Sequence, residues 1–126
     1  MVSPVIATSC MLPFTNMEQI LCISWDPTLA LTRELLLKSV GYTVHSVWGP
    51  EWAVNCCRTS QAGLLVLGHS VPREEKLKLI SIFKAQNVAP VLSLLPLDQM
   101  KLAEADYGSP ADPDSLLSAV RAILPR

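Results

Sequence analysis

The first 18 residues contain no lysine or arginine. A secretory leader needs a basic start and a longer apolar centre, so none is expected. No apolar run reaches the ~18 residues of a membrane span. Charge of one sign is also missing, since 10 Lys and Arg against 11 Asp and Glu leave a net charge of -1. That gives no footprint for direct binding of nucleic acid or of an anionic membrane. The four cysteines, Cys10, Cys22, Cys56 and Cys57, make no C-x-x-C pair. No His or Asp stands beside them at ligand spacing, so no metal and no other cofactor is expected. They read as reduced thiols of a cytoplasmic protein, with Cys22 a small buried hydrophobe. No G-x-G-x-x-G or P-loop follows the first apolar run, and no G-x-S-x-G elbow exists anywhere. Both absences weigh against a phosphate cradle and a serine nucleophile.

What is present fits one domain. The chain has 126 residues, 50% apolar and 17% charged. That suffices for a core without disulfide or metal staples, and it excludes a disordered chain. Residues 1–18, broken by Pro4 and Pro13, read as a loose extension, and residues 19–126 as the domain. Met11 and Met17 are alternative starts, Met17 opening directly on the first strand.

Strand and helix signals alternate along the domain. Ile20–Ile23 is a short apolar strand, and Asp26-Pro27 is a helix start. The first helix runs to about Val40 with Leu29, Leu31, Leu35, Leu36 and Val40 as its apolar stripe, and Gly41 stops it. Tyr42–Trp48 is rich in β-branched and aromatic residues and reads as a second strand. A helix from Gly49-Pro50 ends near Ser60. Gly63–Gly68 is apolar between its glycines, as in a parallel strand buried on both faces. The third helix follows Pro72, with Glu74 and Lys78 spaced as an i, i+4 pair. Val88–Leu95 is a fourth strand, Pro96–Glu104 holds at most a short helix, and Ala105–Gly108 is a weak fifth strand. The last helix starts at Asp112-Pro113 and puts Leu116, Leu117, Val120, Ile123 and Leu124 on one face. This order predicts an α/β fold, with a five-stranded parallel sheet of order 2-1-3-4-5 between helical layers. A site is expected at the carboxyl ends of the strands, at the switch point between strands one and three.

Several stretches carry a resemblance. Ile20–Tyr42 (ILCISWDPTLALTRELLLKSVGY) resembles the opening of a response-regulator receiver domain. Gly63–Pro72 (GLLVLGHSVP) resembles that family's third strand and the loop after it. Ala89–Leu92 resembles the fourth strand, and Asp106-Tyr107 with Pro110 and Asp112–Leu117 resembles the fifth strand and last helix. The likeness spans roughly Glu18 to Leu124. It implies a flavodoxin-like, CheY-like three-layer sandwich, with the fourth helix short or missing.

The resemblance also implies a chemistry. In receivers an aspartate ending strand three takes a phosphoryl group. Two acids after strand one hold Mg²⁺, and a hydroxyl and a lysine read out the state. Here the acid pair falls on Ser24 and Trp25, the phosphoacceptor on Gly68, the hydroxyl on Leu95 and the lysine on Ser109. Gly68 has no side chain to accept a phosphoryl group, and Trp25 cannot ligate Mg²⁺. Trp25 is expected to fill the space of the metal site. Asp26 is the remaining acid and His69 stands at the mouth, so these two mark a possible pocket. His69 reads as a polar loop residue over a packed site, because no acid is placed to orient it. His45 reads as structural or solvent-facing, and Trp48 and Trp52 as core. The expected function is a non-phosphorylatable receiver-like signalling module and not an enzyme. Its expected partner is a histidine kinase, a response regulator or a second copy, met through Asp112–Arg126. The alternative is a flavodoxin-like domain binding a small molecule at the strand ends.

Overall fold

A computed structural model describes residues 16–96 and 102–125. Its strands are β1 (Asn16–Ser24), β2 (Thr43–Trp48), β3 (Ala62–Leu67), β4 (Val91–Leu95) and β5 (Tyr107–Pro110). Its helices are α1 (Pro27–Ser39), α2 (Pro50–Thr59), α3 (Arg73–Lys84) and α4 (Pro113–Ile123). The helix starts follow from local chemistry. The Asp26 carboxylate accepts from the Thr28 amide at 2.9 Å, and Pro27 has no N–H to leave orphaned. Asp112 caps α4 in the same way, accepting from the Ser115 amide at 3.0 Å. Gly41 ends α1 with φ 104°, a conformation costly for any residue with a Cβ.

The sheet is parallel throughout, in the order β2-β1-β3-β4-β5. Every residue of β3 is buried, because helices cover both faces. Side-chain alternation sends Leu65 and Leu67 into one core with Leu79 and Phe83 of α3 and Cys56 and Cys57 of α2. Leu64 and Val66 go to the other, with Leu37 of α1 and Leu116 and Val120 of α4. Cys22 lies fully buried in this second core. No helix among the described residues is long and apolar enough to cross a membrane.

The structure departs from the sequence reading in several places. β1 begins at Asn16, inside the span read as an extension, but its register with β3 shifts between Asn16 and Ile20. The rest of that extension, with Cys10 and Met11, lies outside the described residues. β4 starts at Val91 and not Val88, since Pro90 has no N–H for a ladder and Val88 is fully exposed. β5 occupies Tyr107–Pro110 because Asp106 is drawn into a tie to β4. Its carboxylate accepts from the Val91 amide at 2.8 Å, and its own amide donates to the Val91 carbonyl. Among the described residues no helix stands between β4 and β5, and residues 97–101 lie outside them. The buried stripe of α1 is Ala30, Arg33 and Leu37, while Leu31 and Leu35 face solvent. The expected Glu74–Lys78 ion pair does not form. The i, i+4 pair is Glu34–Lys38 on α1, at 2.5 Å. Trp48 and Trp52 are both about half exposed, at 49% and 47%, and so are not core. They stand at the sheet's outer edge, where β2 turns into α2 through Gly49.

Candidate functional site at the strand carboxyl ends

β1 and β3 end side by side. The Gly68 amide donates to the Ile23 carbonyl at 2.8 Å. Next to it two hydroxyls close the gap between the β1 end and the loop after β3. Ser24 Oγ lies 3.0 Å from Ser70 Oγ and accepts from the Asp26 amide at 3.0 Å. Ser70 Oγ accepts from the Trp25 amide, also at 3.0 Å. Asp26 itself is occupied as the cap of α1.

The space beside Gly68 is filled from α1. A Cβ at Gly68 would stand 2.6 Å from Arg33 Nη1 and 3.1 Å from the Ile23 carbonyl oxygen. Arg33 is 4% exposed, so its guanidinium lies under the loop. Its Nη2 is 3.0 Å from His69 Nδ1. A guanidinium only donates, so Nδ1 accepts and the imidazole proton sits on Nε2. Burial, then the charges of Arg33 and Lys76, hold the His69 pKa below its usual value, which keeps it neutral. Arg33 Nη1 is buried with no hydrogen-bond partner. Burial also lowers the pKa of Arg33 itself, against the pull of Cys22 and Asp26. The Cys22 thiol is pushed up to about 11 by burial, so it is not a nucleophile.

A second cation enters from α3. Lys76 is 4% exposed, and its Nζ donates to Ser93 Oγ at 2.9 Å and to the Leu94 carbonyl at 2.8 Å. Burial, followed by repulsion from Arg33, takes its pKa down to about 8. Between the β3–α3 loop and the end of β4 lies a cleft of about 130 Å³. His69, Ser70, Lys76, Leu95 and Leu102 are among its walls.

The structure therefore brings Ser24, Asp26, Gly68 and His69 together at the β1–β3 ends and puts Leu95 with His69 on the cleft. Ser109 stands apart, its Oγ bonded to the Pro110 carbonyl at 2.9 Å. Trp25 is partly buried and packs toward the α2–α3 core. The side chain that meets Gly68 is that of Arg33, and not Trp25. Sequence reasoning missed Arg33 and Lys76. Each sits at a core position of its helix: Arg33 between Ala30 and Leu37, Lys76 three, four and seven residues before Leu79, Ile80 and Phe83. A cation on an apolar stripe, in a chain whose strand ends keep Asp26 as their one expected acid, is the signal that was available.

The donor set does not suit a hard divalent cation, which takes carboxylate and other oxygen ligands. A guanidinium and an ammonium occupy the neighbourhood, and Asp26 is engaged as a cap. Among the described residues no three His, Cys, Asp or Glu cluster closely enough to hold a metal.

No family model and no curated protein matches the chain. Solved structures do. A response-regulator signal receiver domain from Bermanella marisrubri is 24% identical with a TM-score of 0.68, over 85% of this chain and 98% of that one. The response regulator TrrA from Thermotoga maritima, in complex with Mg²⁺ and BeF, is 19% identical with a TM-score of 0.72, over 84% and 98%. A structure of the histidine kinase ThkA in complex with TrrA contains a chain 18% identical, TM-score 0.70, over 84% and 97%. At these identities the likeness is one of fold, and it matches the flavodoxin-like, CheY-like sheet order.

Proposed function

We propose that this chain, built on the CheY-like receiver fold, is a signalling module of two-component type that takes no phosphoryl group and acts by binding another signalling protein. One observation carries the reading: at the end of β3 stands Gly68, and the place of a side chain there is taken by the Arg33 guanidinium. A glycine offers no oxygen to attack a phosphoryl donor, and the cation beside it repels Mg²⁺. With that chemistry gone, contact is the output the fold still provides. The kinase–regulator complex of similar fold supports a histidine kinase or response regulator as the partner class. The surface we assign is that of α4, where Arg121 and Ala122 are exposed. Cys22, buried as a free thiol, agrees with a reducing, cytoplasmic setting.

Incubation with acetyl phosphate and Mg²⁺, followed by intact-mass measurement, tests the core of this proposal. The mass is expected to stay unchanged. A stoichiometric phosphoryl adduct would refute it.

A further inference from the structure

Arg33 and Lys76 are two buried cations on different helices, and neither has a carboxylate partner among the described residues. A buried charge without a counter-charge is costly. Here two lie close enough to repel, as the lowered Lys76 pKa reflects. The groups around them are donors. Lys76 Nζ has three N–H and spends two, on Ser93 and Leu94. His69 carries its proton on Nε2, because Arg33 holds Nδ1. Arg33 keeps one buried nitrogen unpaired. Pro72, the N-cap of α3, has no side-chain oxygen to cap the first-turn amides, so the positive end of that helix adds to the same field. His69, Lys76 and Arg73 line one cleft of about 130 Å³, well above the ~10–15 Å³ that a single water requires. No acidic side chain lines it among the described residues.

We infer that this cleft binds a small oxyanion of the phosphate class. Lys76 Nζ and His69 Nε2–H contact it directly. Arg33 is a positioning residue: it fixes the His69 tautomer from behind and adds its charge. The anion supplies the missing counter-charge and forms no covalent bond, so the inference holds whether or not the chain docks on a signalling partner.

The test is a calorimetric titration of the full chain with inorganic phosphate, against chloride at matched ionic strength. A second arm uses O-phosphoserine. Saturable one-site binding of phosphate is expected. Binding of phosphate alone identifies the free ion as the ligand. Binding of O-phosphoserine as well identifies an esterified phosphate. Lys76→Met is expected to weaken binding about tenfold or more, the worth of a charge-assisted hydrogen bond. His69→Ala, a change at a partly buried loop residue, does the same without touching the core. Lys78→Met, on the exposed side of α3, leaves affinity unchanged. Absence of saturable binding would overturn the inference. So would equal affinity in His69→Ala, or an equal loss in Lys78→Met, which would mean nonspecific charge attraction.

Discussion

Arg33 and Gly68 make sense only as a pair. A guanidinium can lie under the loop because position 68 has no Cβ, and one added there would stand 2.6 Å from Nη1. The arrangement leaves a buried donor unpaired. Removing such a group in favour of an apolar chain of similar length relieves its desolvation. Arg33→Met is therefore expected to stabilise the fold by about 1–3 kcal/mol in anion-free buffer. Gly68→Ala is expected to cost about 1 kcal/mol, because the guanidinium must shift and the Ile23 carbonyl is close. The two changes should be non-additive, with Gly68→Ala cheaper once Arg33 is Met. Urea denaturation of the two single variants and the double variant measures this coupling. Strict additivity would mean that the two residues do not share the space.

α3 shows how one helix combines core and site. Leu79, Ile80 and Phe83 anchor it to the sheet, and the same stripe carries Lys76 to the β4 end. The Lys76 pKa falls from the ordinary 10.5 to about 8, burial being the main cause and Arg33 the second. Between those values the unfolded chain holds a proton that the folded chain has released. Stability contributed by this group therefore rises with pH from about 8 to 10.5, and below about 8 its charged form carries a constant penalty. The prediction is a difference curve. From pH 8 to 10, the urea midpoint of the wild type should climb relative to that of Lys76→Met. Parallel curves would show that Lys76 is charged and solvated in the folded state. The helices also define the limits of reading by period. On α1, counting leucines gave a stripe that included Leu31 and Leu35, but the buried face is Ala30, Arg33 and Leu37. An arginine with a long apolar stem can hold a core position when a glycine leaves room for its head.

At the scale of the whole molecule, the contact proposal rests on the outer face of α4, whose inner residues Leu116 and Val120 are fully committed to the core. Arg121→Glu reverses charge on the exposed side without touching that packing. Affinity capture from source lysate with wild-type and Arg121→Glu baits is expected to recover a kinase or regulator with the first and lose it with the second. Recovery by both baits would move the docking surface off α4. Strand and helix alternation, the parallel sheet and its order were legible in the chain, because hydrophobic period and cap residues act over a few neighbours: Asp26-Pro27, Gly41 and Asp112-Pro113 punctuate it, and β3 is apolar throughout. The strand-end residues Ser24, Gly68 and Leu95 are named by the resemblance to a receiver domain, and the parallel sheet order takes the ends of β1, β3 and β4 to one edge. What fills the space between them could not be read that way. Arg33 and Lys76 are 43 residues apart in the chain and come near enough to repel only because α1 and α3, from opposite faces of the sheet, both reach its carboxyl edge. Local pattern reports which way a residue faces along its own helix. Only the packed molecule decides which charges are left near each other, and so that the cleft at the strand ends, lined by no acid among the described residues, is a basic one.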